Sequence, residues 1–215
     1  MLARFYAAYQ KLAGADCFKI FDTDHPEGGL YHLYPEYSEI IDLERTTGQV
    51  KLFDTMMAQA GTNFIVDLQS NHLHRFFDIF HDIEYDEGAK EAGVGIVVFY
   101  MLDRSAQSLN AARKMQMRLR KCEFVLVKNH AIGTEFGAEM FPRQEGTLKP
   151  HREIVLPQFS WSLLELLENP EFDLTGFIAG QGRDLPYEIQ QELWGILEML
   201  YDQRAPDREG VIHLL

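Results

Sequence analysis

The sequence predicts an α/β protein, with a mostly parallel sheet and helices on both of its faces. Three observations carry this expectation. Five short runs, FKIFD, NFIVDL, GIVVFYML, EFVLVKN and REIVLP, have strand length and are bounded by polar or turn-forming residues. Several are apolar almost throughout instead of alternating, as suits strands covered on both sides. Segments with helical spacing of apolar residues lie between them, and regular alternation of strand and helix is the pattern of a parallel sheet.

Composition sets the outer limits. With 215 residues, 46% of them hydrophobic, the chain can bury a full core as a single domain over 1–215. It shows no internal repeat and no low-complexity linker. No apolar run has the length of a membrane span and the N-terminus has no cleavable signal pattern, so a cytoplasmic protein is expected. The net charge of −13 opposes indiscriminate adhesion to nucleic acid or anionic membrane. Cys17 and Cys122 have neither metal-ligand nor disulfide spacing and read as small buried hydrophobes.

Taken in order, residues 1–13 are helical by composition, with Leu2, Phe5, Tyr6, Tyr9 and Leu12 near helical spacing and Gly14 as the stop. No capping residue and no strand precede this helix. The first strand, around Phe18, Ile20 and Phe21, stops at Asp22 and Asp24, with Pro26 and Gly28-Gly29 beyond. The stretch to Gly48 is turn-rich and aromatic, with SEIIDL as a brief edge strand. A helix is predicted over 49–60 and a strand over 63–68. An amphipathic helix is predicted over 70–85, turning Leu73, Phe76, Phe77, Phe80 and Ile83 inward. Then come a strand over 95–102, a helix over 105–121, a strand over 123–129, a short helix over 135–140 and a strand over 152–157. Two C-terminal helices from about 160, WSLLELLE and PYEIQQELWGILEMLYDQ, precede what reads as a frayed charged tail.

Asp22 with Asp24, Asp67, and Lys128-Asn129 all fall at the C-terminal ends of predicted strands, where open α/β sheets bind ligands. Carboxylates there suit Mg²⁺, which takes few protein oxygens and shares the rest with water and phosphate. An acid near a phosphate can orient a water, and an asparagine amide can pair with a purine. Taken alone, Asp22 and Asp24 read more plainly as the end of a strand and the start of a turn.

The succession of a helix, FKIFDTD, NFIVDL, GIVVFYML, EFVLVKNH and REIVLPQF resembles the ParA/MinD group of P-loop ATPases over roughly residues 1–165. The resemblance implies a P-loop NTPase-like fold that binds ATP and Mg²⁺ and dimerises with ATP. It implies Asp24 as the acid acting on the hydrolytic water, Asp22 and Asp67 as acids near Mg²⁺, and Asn129, Pro157 and Gln158 as the border of the adenine. The implied roles are plasmid or chromosome partition, DNA mobilisation, or positioning of cellular cargo.

One departure bears on the chemistry. The family's phosphate loop carries a Gly-Lys pair, and no glycine here is followed by lysine. The first strand and that loop are missing from the alignment, which implies an N-terminally incomplete chain. Without them ATP hydrolysis is expected to be poor or absent. In this fold that strand is central, so its loss would leave two unpaired edges.

Two other constellations stand out in the sequence. Arg104, Arg113, Lys114, Arg118, Arg120 and Lys121 run without an intervening acid and offer a nonspecific DNA contact, chiefly through Arg113, Lys114, Arg118 and Lys121. The preferred reading is a solvated helix face over inward Leu109, Ala112, Met115 and Leu119. His74, Asp78, His81 and Asp82 share one side of their helix as metal ligands would, but also as the solvent side of an amphipathic helix would. His25 and His32 read as loop contacts. The function expected from these residues and this resemblance is that of a ParA/MinD-like ATPase acting as a homodimer with an unidentified protein partner. The alternative is a catalytically silent interaction module using Tyr31, Tyr34 and Tyr37 or the C-terminal helices; a metal hydrolase built on acids and histidines has least support.

Overall fold

The structure is a computed structural model and describes residues 1–14, 18–59, 61–103, 105–130, 148–181, 184–203 and 211–215. Cys17, Arg104 and the helix expected over 135–140 lie outside the described residues. The elements in chain order are α1 (Leu2–Leu12), β1 (Phe18–Asp22), β2 (Ser38–Ile40), α2 (Thr46–Ala58), β3 (Asn63–Asp67), α3 (Leu73–Asp82), α4 (Tyr85–Glu91), β4 (Gly95–Leu102), α5 (Ala106–Arg118), β5 (Glu123–Asn129), β6 (Arg152–Leu156), α6 (Trp161–Glu168), α7 (Leu174–Gly176), α8 (Tyr187–Asp202) and β7 (Val211–Leu214). The short α7 runs on into a further turn, Phe177–Gln181, which is broken by Gly180 at φ 86.

The protein is α/β, and the seven strands among the described residues form one all-parallel sheet in the order β2-β1-β3-β7-β4-β5-β6. Strands of such a sheet are buried on both faces, and consecutive residues bear this out: Phe64, Ile65 and Val66 in β3 and Phe124 to Val127 in β5 are all buried. By contacts the chain forms two compact units. One comprises 1–98, 121–123 and 207–215, and the other comprises 99–120 and 124–206.

In the first unit, β1 pairs with β3 from Phe18↔Asn63 to Asp22↔Asp67 and with the short edge strand β2. The largest correction to the sequence reading is β7. The C-terminal residues expected to fray form a strand that pairs in parallel with both β3 and β4, burying Val211, Ile212 and Leu214. The central place expected to be empty is therefore filled. Its register is held at both ends: the Val211 N–H donates to Asn63 Oδ1 at 3.1 Å. At the far end the Leu68 N–H donates to the Leu215 carbonyl at 2.7 Å and the Leu215 N–H to Val66 at 2.9 Å.

The helix expected over 70–85 is two helices. Glu84 adopts a left-handed conformation (φ 50) between them, and the chain then turns Tyr85 into a ring cluster, 5.1 Å from Phe53 and 5.2 Å from Phe80. Ile83, expected inward, is half exposed as a result. Helix α2 begins earlier than its composition suggested. Gly48 lies in its first turn, where a Cβ would come within 2.0 Å of the Asp42 carbonyl oxygen, so only glycine fits this close approach.

In the second unit, β5 and β6 pair in parallel with Asn129 opposite Leu156. The Val155 N–H donates to Gln203 Oε1 at 2.8 Å, so the end of α8 covers part of the β6 edge. Ser160 caps α6, accepting from the Leu163 N–H at 3.2 Å, and its hydroxyl donates to Glu192 on α8 at 2.6 Å.

Candidate functional site

Parallel pairing of β1 with β3 sets Asp22 and Asp67 opposite each other as the last residues of adjacent strands. Register partners on parallel strands project to the same face, so two carboxylates meet at the C-terminal edge of the sheet. Asp24 follows two residues later, in the loop that leaves β1. The acids read from the sequence as one edge are therefore brought together here.

Their environments differ. Asp22 is fully buried, and its carboxylate is taken up by main chain. One oxygen accepts from the Asp24 N–H at 2.9 Å; the other accepts from Leu30 at 2.7 Å and Tyr31 at 2.8 Å. Two successive amides converging on one oxygen form a small anion nest, with the protein's own side chain as the anion. Gly28 permits the turn that closes it: its φ is 70°, and a Cβ would come within 2.5 Å of Ile40 Cδ1. In this arrangement Asp22 organises residues 23–31, and Asp24 and Asp67 are the acids left for a ligand.

Asp67 is half-buried. Burial pushes its carboxyl above the ordinary carboxylate range, the Met1 ammonium pulls it back, and the carboxylates of Asp22 and Asp24 push it further up. Asp24 is also half-buried and accepts a hydrogen bond from the Gln69 carboxamide. Thr23, wholly buried between the two loops, donates through Oγ1 to the Asp67 carbonyl at 2.8 Å and accepts from the Gln69 N–H at 3.0 Å.

Thr23 and Gln69 were not singled out in the sequence. The only signal was proximity: Thr23 sits between the two acids of FDTD, and Gln69 lies two places beyond Asp67. His25, as expected, is a loop contact, with Nδ1 4.0 Å from the Asp42 carboxylate.

The other expected site residues belong to the second unit. Asn129 closes β5 and is half-buried, while Pro157 and Gln158 directly follow β6, with Gln158 exposed. On α5, Ala112 and Met115 are buried, as is Leu119 just beyond; Leu109 is only partly so. Lys114 and Arg118 are exposed, and Arg113 is half-buried. Lys121, in the first unit, is paired with Glu87.

Two candidate surfaces change with the structure. Tyr34, grouped with Tyr31 and Tyr37 as exposed, is buried and donates its hydroxyl to the Arg4 carbonyl at 3.2 Å. Tyr37 stacks on Phe18 with ring centroids 4.4 Å apart, so the loop aromatics serve chiefly to seat the loop. His74, Asp78, His81 and Asp82 are all exposed on α3, the solvent side of an amphipathic helix whose Phe76, Phe77 and Phe80 are buried. Among the described residues no group of three or more His, Cys, Asp or Glu is arranged to hold a metal ion. Cys122 is buried with its thiol pushed up to about 12 by burial, in keeping with a packing role. No helix among the described residues is long and apolar enough to cross a membrane.

No family model, curated protein or solved structure matches the chain.

Proposed function

We propose that the chain is a ParA/MinD-like ATPase domain acting in the cytoplasm in plasmid or chromosome partition, DNA mobilisation or cargo positioning. The observation that supports this most is the pairing of Asp22 with Asp67 at the ends of adjacent parallel strands, with Asp24 in the following loop. ATP with Mg²⁺ is the ligand of this reading, supplying phosphate oxygens and a metal-bound water. A single half-buried carboxylate with a raised pKa suits Mg²⁺, because the cation relieves the cost of its charge and takes its other oxygens from water and phosphate. Asp67 is the metal-side acid and Asp24 the acid that orients water. Asp22 supports both from its amide nest. Nucleotide promotes a homodimer in this reading.

No glycine in the chain is followed by lysine, so phosphate binding lacks its usual cationic partner and hydrolysis is expected to be slow or absent. Calorimetry with ATP·Mg²⁺, combined with light scattering of the eluting species, tests the proposal. Binding that is lost in Asp67→Ala, together with nucleotide-dependent dimers, is the expected result. Neither binding nor dimers in the wild type would overturn it.

A second reading, a catalytically silent interaction module, is favoured by the same missing Gly-Lys pair. Trp161 and Tyr187, at the starts of α6 and α8, are 77% and 70% exposed and give such a module its apolar contacts. Such a module would bind its partner equally well with and without nucleotide.

A further inference from the structure

Within the acidic edge, Gln69 touches both loops in two different ways. Its main chain is pinned, since the N–H donates to Thr23 Oγ1 and that hydroxyl donates to the Asp67 carbonyl. Its side chain is a separate device: the carboxamide NH₂ donates to one Asp24 oxygen. The other Asp24 oxygen lies over Gly29, where even an added Cβ would be 3.4 Å away. Gln69 therefore occupies one oxygen of Asp24, while the other faces the Gly29 backbone.

We propose that Gln69 is a positioning residue whose carboxamide latches Asp24 in competition with ligand. The inference rests on the ATPase reading above and adds a means of regulation to the same site. A hydrogen bond from an amide to a carboxylate is charge-assisted and stronger than a neutral one. A ligand that recruits Asp24, through a metal-bound water or directly, competes with that donor. Release needs only a side-chain rotation, because the Gln69 main chain stays fixed to Thr23. The latch thus opposes binding, and its removal strengthens binding. A residue that merely supported the loop would have the opposite sign.

Calorimetric titration of ATP·Mg²⁺ into wild type, Gln69→Leu and Gln69→Asn tests this. Asparagine is a second variant that keeps polarity and lacks reach. Both variants are expected to bind about three- to tenfold more tightly than wild type, the cost of one charge-assisted hydrogen bond partly recovered. In ¹⁵N-labelled wild type, the Gln69 carboxamide signals are expected to move towards those of free glutamine as ATP·Mg²⁺ saturates the site. Equal or weaker binding by the variants, with wild type still binding, overturns the latch and leaves the ATPase reading intact. No binding by any of the three overturns the ATPase reading and the latch with it.

Discussion

Asp22 is buried, and three main-chain N–H groups satisfy its side-chain oxygens there. Asp22→Ala would strand those donors, the Leu30 amide deep in the loop, and is expected to cost about 3 kcal/mol or more. Asp22→Asn keeps one acceptor oxygen and is expected to cost roughly half as much. Urea unfolding at neutral pH decides this, and a loss under about 1 kcal/mol for the alanine variant would mean that the nest is not what holds the loop. Asp67 behaves in the opposite sense. Its folded pKa lies above 3.8, so as pH rises from there the unfolded chain releases its proton first, and stability falls until the folded carboxyl has also ionised. Asp67→Asn is expected to melt higher than wild type at neutral pH and to lose that advantage below 3.8. An equal difference at both pH values would show that the carboxylate is not the cause. The acids themselves were legible in FDTD and VDL, because Asp closing an apolar run marks a strand end. The amides that neutralise Asp22 were not, because they come from an aperiodic loop eight and nine residues further on.

Among the elements, β7 shows most clearly how context overrides local signal. VIHLL is too short for periodicity to classify, and acids and an arginine lie just ahead of it. It becomes a strand because β3 and β4 each offer it a complete ladder, and its burial follows from that central place. Ile212, wholly buried there, is expected to cost about 3 kcal/mol when cut to alanine, as a core position does. Thermal melts of Ile212→Ala beside an exposed control such as Val50→Ala measure this, and equal small losses would show that β7 is peripheral to stability. The break between α3 and α4 has a similar origin. Tyr85 gains ring contacts with Phe53 and Phe80 that a continuous helix would have placed elsewhere, at the cost of a left-handed Glu84. The long apolar strands needed no such context, and all five were placed from the sequence to within a residue or two.

Across the whole molecule, a charge of −13 outweighs the basic run on α5. Lys114, Arg118 and Arg120 are exposed, whereas Arg113 is half-buried and Lys121 is engaged with Glu87, and the net negative charge opposes approach to DNA. Arg113→Glu combined with Lys114→Glu is expected to change retention on a nonspecific DNA column very little, even at low salt. Retention by the wild type that the double variant loses would establish a DNA contact. By itself the sequence determined the α/β class, the parallel strands and the acids that close them, because apolar runs and their boundaries are local properties. Tertiary structure alone decided that a C-terminal segment completes the centre of the sheet, that Asp22 is spent on its own loop, and that Gln69 reaches Asp24. Each of these depends on groups distant in the chain meeting through register and loop closure, and no local pattern encodes such a meeting.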